Sequence, residues 1–235
     1  MNTRPFGNTG WNVSEVGLGC WQIGAEWGDV PREQALAVLH AAADAGVTFF
    51  DTADVYGLGR SESLIAEFLK DRRGRGGRDA DAIHVATKLG RFPQPGWPAN
   101  FTLAAMRQHC EASAKRLGVD VLDLTQLHCV PTEELKKGEV FDHLRTLKKE
   151  GLIRFFGASV ESMAEALVCL EQPGLTNLQI IFNVFRQKPI TALFQHAKHK
   201  GVAIVVRLPL ASGLLSGKMS KATTFRPDDH RNFNR

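Results

Sequence analysis

The stretch FFDTADVYG at residues 49–57 begins as an apolar strand, closes it on Asp51 and carries Tyr56 in the loop beyond. Phenylalanine pairs suit a pleated, buried strand. A carboxylate at the end of such a run either caps the next helix or faces a site. Tyr56 is the single tyrosine of the chain, and Gly57 after it leaves space for close approach of a ligand.

Working outward, seven β-rich runs can be read, at 13–19, 47–53, 83–89, 121–128, 153–159, 178–183 and 203–209. Helical periodicity fills the intervals near 32–45, 61–71, 103–117, 139–150, 161–171 and 190–200. Pro31 and Ser61 serve as helix starts, and Gly46, Gly118, Gly151 and Gly201 as stops. Strand follows strand at roughly 30 to 38 residues, the length of a right-handed βα unit. Both a doubly wound open sheet and a barrel generate that alternation. The polar residues separate them: Asp51, Lys88, His128, Ser159 and Gln179 fall on or at the ends of successive strands, and in a (β/α)8 TIM barrel those ends converge on one mouth. The expected fold is therefore α/β, a (β/α)8 barrel spanning residues 1–235 as a single domain. A barrel closes with eight strands, and the polar tail KMSKATTFRPDDHRNFNR after Gly217 has no strand pattern. The eighth strand and final helices are expected to be missing, with truncation in the loop after about residue 218.

Composition narrows the function classes. Of the 235 residues, 43% are hydrophobic and 23% charged, near globular averages, which excludes a disordered or coiled-coil chain. The net charge of +4 suits anionic small molecules. The basic run RRGRGGR at 72–78 has no interleaved aromatics for stacking on bases, so it reads as a solvated loop and no nucleic-acid partner is expected. The four cysteines, Cys20, Cys110, Cys129 and Cys169, have no metal-ligand or disulfide-framework spacing. No metal site, no membrane partner and a cytoplasmic location are expected. The sequence leaves the oligomeric state unspecified.

Two more stretches carry chemistry. IHVATKLG at 83–90 puts Lys88 at the end of a buried strand, either snorkelling to solvent or held beside Tyr56, where its charge would lower the phenol pKa. Asp51 would then pair with Lys88 and keep it charged. LDLTQLHCV at 122–130 brings His128 to the same rim, as a packed core histidine or as a donor to a substrate oxygen.

These pieces, in order, resemble the aldo-keto reductase superfamily: RPFGNTGWNVSEVGLG, DTADVYG followed by SES, ATKLG, LDLTQLH, FFGAS, LQIIFNVFRQ and RLPLASGLLSGK. The branch they are most similar to is a bacterial one with inositol-operon-type reductases and potassium-channel β-subunit relatives. The resemblance implies that Tyr56 is the general acid/base, that His128 orients the carbonyl and that Asp51 and Lys88 tune the tyrosine. It implies an NAD(P)-dependent oxidoreductase reducing aldehydes or ketones, or oxidising sugars and polyols in reverse. NADP(H) is favoured over NAD(H), although the residues that bind the 2′-phosphate in this family lie beyond Arg235. No G-x-G-x-x-G turn is present, so a Rossmann phosphate site is not supported.

By the same resemblance, Ser159 and Gln179 bond the nicotinamide carboxamide and Phe182 takes the stacking position. Without it, Phe182 is simply a core residue. Arg207, Leu208, Pro209, Leu210, Gly213, Leu214 and Lys218 belong to the pyrophosphate segment, which can equally be a plain loop with a solvent lysine. Gly19, Cys20 and Trp21 match an element lining the cofactor and substrate sites, with Cys20 in place of the common threonine and open to access. Val160 stands where many relatives carry asparagine, and Arg207-Leu208 replaces an aromatic-serine pair. Trp21, Trp27, Phe92 and Trp97 can form a substrate rim or ordinary packing. Two rivals remain: a nucleotide-sensing barrel without turnover, and a Schiff-base aldolase using Lys88.

Overall fold

The computed structural model describes all residues except 25–27, 75–77, 226, 228 and 233–235. Residues 13–19, expected as one strand, divide. Ser14 exchanges hydrogen bonds with Thr48, its N–H donating to the threonine hydroxyl and its own hydroxyl accepting from the Thr48 N–H, each at 2.9 Å. That hydroxyl also donates to Val16 O at 2.7 Å, turning the chain. The first half becomes β2 (Asn12–Ser14), antiparallel to β1 (Thr3–Pro5), and only β3 (Leu18–Gly19) enters the main sheet.

That sheet is parallel throughout and runs in chain order: β3, β4 (Phe49–Asp51), β5 (His84–Leu89), β6 (Leu122–His128), β7 (Ile153–Ser159), β8 (Leu175–Ile181) and β9 (Ala203–Arg207). Among the described residues it holds seven strands, and β3 and β9 form its edges. Residues of both edges line one cavity, so the sheet is curled.

Helices pack outside it: α1 (Arg32–Asp44), α2 (Arg60–Gly74), α3 (Leu103–Leu117), α4 (Thr132–Lys137), α5 (Glu139–Lys149), α6 (Met163–Leu170), α7 (Lys188–Ala192) and α8 (Phe194–His199). The interval 190–200, expected as one helix, breaks at Leu193, whose backbone (φ −127°, ψ −48°) leaves the helical region as its side chain is buried. The α4 helix was not anticipated, though TEELKK carries its own signal: Pro131 before it, acids in the first turn, lysines in the last and Gly138 after. The basic run is no continuous loop either. Arg72 and Arg73 lie in the last turn of α2, and Arg72 bonds Asp44 at 2.8 Å. Among the described residues no helix is long and apolar enough to cross a membrane.

Two cores result. The larger fills the space between sheet and helices and contains Phe50, Ile65, Phe68, Leu127 and Phe141. The smaller lies on the sheet's inner face, where Phe49, Ala86 and Leu124 meet Phe6 and Val13 of the hairpin, with Trp11 and Phe155 against them. Strand alternation puts every second residue inward. The inner face is therefore apolar at its floor and polar towards the C-terminal ends, where Asp51, Lys88, Gln126, His128, Ser159, Gln179 and Arg207 follow.

Candidate active site

Lys88 sets the geometry. Its side chain is shut off from solvent, and Nζ donates to Asp51 Oδ2 at 2.7 Å, Thr52 O at 2.8 Å and Tyr56 Oη at 3.3 Å. An ammonium has three donors, and all three are used. Burial by itself would lower the lysine pKa, but Asp51 and Tyr56 outweigh it and raise it, so the group stays charged. The snorkelling account is thereby excluded.

The phenol behaves differently from expectation. Burial raises the Tyr56 pKa and outweighs the opposing pull of Lys88. A lowered tyrosine pKa was expected, yet a site closed enough to hold Lys88 also desolvates the phenolate. Tyr56 is accordingly a protonated donor. Its ring stacks on Trp21 (centroids 5.7 Å, 17°) and meets the His128 ring edge-on at 5.7 Å. His128 is buried, and its pKa lies well below the usual value because of burial and then of Lys88, Arg91 and Arg207. Among the described residues the buried Nδ1 of its neutral ring has no hydrogen-bond partner.

Gly57 does not open space for a ligand. With φ +59°, a Cβ there would meet Gly24 O at 2.3 Å, so the close approach is of the chain to itself. The 51–57 loop is further held by Thr52 Oγ1 donating to Ser61 Oγ at 2.8 Å, which donates to Cys20 O at 2.9 Å. Cys20 is not accessible: it is 1% exposed, and burial pushes its thiol pKa up.

Sequence reading missed two amides under the site. Gln126 Nε2 donates to Asp51 Oδ1 at 3.0 Å, and Gln126 Oε1 accepts from Asn177 Nδ2 at 2.9 Å. Both are completely buried. Gly157, between them in register, admits Asn177, whose Oδ1 would lie 1.6 Å from a Cβ. The inward position of Gln126, two residues before His128 in LDLTQLH, was the available signal.

On the other side, Ser159 Oγ donates to Gln179 Oε1 at 2.8 Å, and Arg207 Nη1 approaches Ser159 Oγ at 3.3 Å and Cys129 Sγ at 3.2 Å. A cavity of about 1120 Å³ runs between β3 and β9. It reaches Gly19, Cys20, Trp21, Asp51, Tyr56, Gln179, Arg207, Leu208, Pro209, Leu210 and Gly213 among the expected residues. Leu208, Ala211, Ser212 and Gly213 have left-handed backbone (φ 54°, 48°, 56° and 97°), and the N–H groups of Ala211 and Gly213 are given to Leu208 O and Leu210 O at 3.0 Å each, which leaves Ser212 as the N–H of this turn that can face an anion. Phe182 packs edge-on against Phe194 at 5.1 Å, and it, Ser159, Leu214 and Lys218 lie outside the cavity lining. Phe92 and Trp97 line a separate hollow of about 450 Å³ that also reaches His128 and Cys129. Trp27 lies outside the described residues. Among the described residues no three His, Cys, Asp or Glu side chains are grouped to hold a metal ion.

Comparison with known proteins is in accord with this geometry. A model of the aldo/keto reductase family matches residues 15–235. The aldo-keto reductase YhdN of Bacillus subtilis is 31% identical over 99% of this chain and 69% of its own length. A glycerol dehydrogenase structure from Gluconobacter oxydans superposes with a TM-score of 0.82 at 30% identity, covering 99% of this chain and 71% of that one. An aldo-keto reductase from Klebsiella pneumoniae in complex with NADPH gives 0.71 at 26% identity, covering 90% and 69%.

Proposed function

The chain belongs to the aldo/keto reductase family, and from that premise we propose that it is a nicotinamide-dependent oxidoreductase reducing aldehydes or ketones, with Tyr56 as general acid/base. The observation that carries the reading is the closed chain Gln126–Asp51–Lys88–Tyr56. Neither rival accounts for it. A nucleotide sensor needs no buried cation against a phenol. A Schiff-base lysine must be neutral to attack, and Lys88 is ion-paired and held charged.

The residues present fit a nicotinamide dinucleotide. Ser159 and Gln179 offer a hydroxyl and an amide for the carboxamide, and the left-handed turn at Ser212 offers its backbone N–H for the pyrophosphate. When bound, the cofactor supplies the hydride. The protein does the rest. The protonated phenol of Tyr56 gives its proton to the carbonyl oxygen, and Lys88 stabilises the phenolate that is left. Neutral His128 donates one hydrogen bond to the same oxygen and fixes its direction. Asp51 and Gln126 hold Lys88 in register. In reverse, the same phenolate takes the proton from a sugar or polyol hydroxyl. Trp21, Phe92 and Trp97 form the substrate rim, and NADP(H) is the preferred cofactor over NAD(H). A cytoplasmic setting accords with four cysteines that are free.

Tyr56→Phe is expected to lower carbonyl reduction by about 10²–10⁴-fold with the nucleotide affinity unchanged. Near-normal turnover in that variant would refute the role.

A further inference from the structure

Arg207 is a half-buried guanidinium at the end of β9, and its neighbours are a thiol and a hydroxyl. Buried cations ordinarily have carboxylate partners. Lys88 has Asp51, and Arg116 has Glu62 at 2.6 Å. Among the described residues no carboxylate forms an ion pair with Arg207. Its hydrogen bonds fix it against Ser159, the residue whose hydroxyl is tied to Gln179. It shares the large cavity with Tyr56, Asp51 and Gln179, and its charge acts on both Tyr56 and His128.

Resting on the nicotinamide reading above, we propose that Arg207 lies beside the nicotinamide ring and makes the protein select the reduced cofactor over the oxidised one. A carboxamide held by Ser159 and Gln179 brings the attached ring next to whatever touches Ser159 Oγ, and Arg207 does so at 3.3 Å. The oxidised ring carries a formal positive charge and the reduced ring none. A permanent cation in a desolvated site repels the first. It is tolerated or attracted by the electron-rich face of the second. The fixed charge thus biases the enzyme towards holding hydride donor and releasing spent cofactor, which is the order a reductase needs.

The test compares dissociation constants for NADPH and NADP⁺, and for NADH and NAD⁺, by fluorescence titration and calorimetry without any carbonyl substrate. Wild-type protein is expected to bind the reduced form at least about tenfold more tightly, the range of a single screened charge contact. Arg207→Met, close in length and uncharged, is expected to bring the ratio to within about threefold of unity, while Arg207→Lys keeps most of it. If the methionine variant does not fold, as judged by its melting transition, Arg207→Gln takes its place. An oxidised-to-reduced ratio unchanged by loss of the charge overturns the proposal and leaves the nicotinamide reading standing. Failure of wild-type protein to bind any of the four nucleotides overturns both.

Discussion

Gln126 illustrates what a single residue does here and how little of it a sequence reveals. Its amide is bonded at both ends, to Asp51 and to Asn177, so it transmits the position of one strand to the carboxylate of another. Asp51, Lys88 and Tyr56 were legible because an acid, a base and a lone phenol at strand ends are costly unless used. An amide inside a strand looks like any neutral polar residue, and its partner Asn177 lies 51 positions away. Gln126→Leu leaves Asp51 Oδ1 and Asn177 Nδ2 without their partners. Unsatisfied buried groups cost about 1–3 kcal/mol, so urea unfolding is expected to show a loss of that size. Steady-state kinetics is expected to show a lower kcat with KM little changed. A variant as stable and as fast as wild type would remove Gln126 from the positioning network.

Between α2, α3 and the 51–57 loop lies a second buried polar cluster, and it belongs to the packing of elements. Glu62 is bound by Arg116 at 2.6 Å and by Thr87 at 2.5 Å, while among the described residues no side chain hydrogen-bonds the Asp54 carboxylate, which faces His109 at 3.8 Å. Burial, and then the charge of Glu62, push the Asp54 pKa up to about 7, against the opposing pull of Arg116, the Val55 N–H and Lys88. The folded protein therefore binds a proton here that an unfolded chain, with an Asp pKa of about 4, releases. Stability from this group is complete below about pH 4 and is lost as the pH rises through about 7. The slope approaches about 1.4 kcal/mol per pH unit inside that window. His109 has its pKa lowered by burial and by Arg116, and acts in the opposite sense. Comparing Asp54→Asn with its parent in a His109→Gln background removes that contribution. The difference is expected to favour the variant increasingly from pH 5 to pH 8 in urea unfolding. Parallel stability profiles would show that Asp54 does not titrate in the folded state. No periodicity foretells such a cluster, because Asp54, Glu62, His109 and Arg116 read singly as helix and loop surface. The α3 helix itself was legible to the residue: Thr102 caps it, Gly118 ends it, and its apolar face repeats evenly.

At the scale of the whole molecule, stability and chemistry occupy opposite faces of one sheet. The outer core around Phe50 and Phe68, whose rings stack at 5.5 Å, is apolar apart from the cluster of Glu62 and Asp54. The inner face carries the reacting groups. Phe68→Ala is expected to cost about 3–5 kcal/mol of unfolding free energy while leaving nucleotide dissociation constants within error of wild type. A parallel loss of nucleotide affinity would mean that the two faces are mechanically coupled. Alternation of strand and helix made the parallel sheet readable in advance, and the polar strand ends indicated a convergent mouth. The hairpin of β1 and β2 was not readable, since its strands are three residues each and their pairing is set by a turn and by Thr48. That hairpin packs where Asn8 accepts no delay in sequence: its N–H donates to Gly201 O at 2.9 Å, and its side chain reaches Lys200 O across 192 positions. Phe6 and Trp11 leave the ribosome long before Ala203 and Val205, which pack in the same inner cluster. Two large aromatics thus wait for their seat until β9 has emerged, and nascent chains stalled before residue 201 are expected to be the species that chaperones hold and that aggregate.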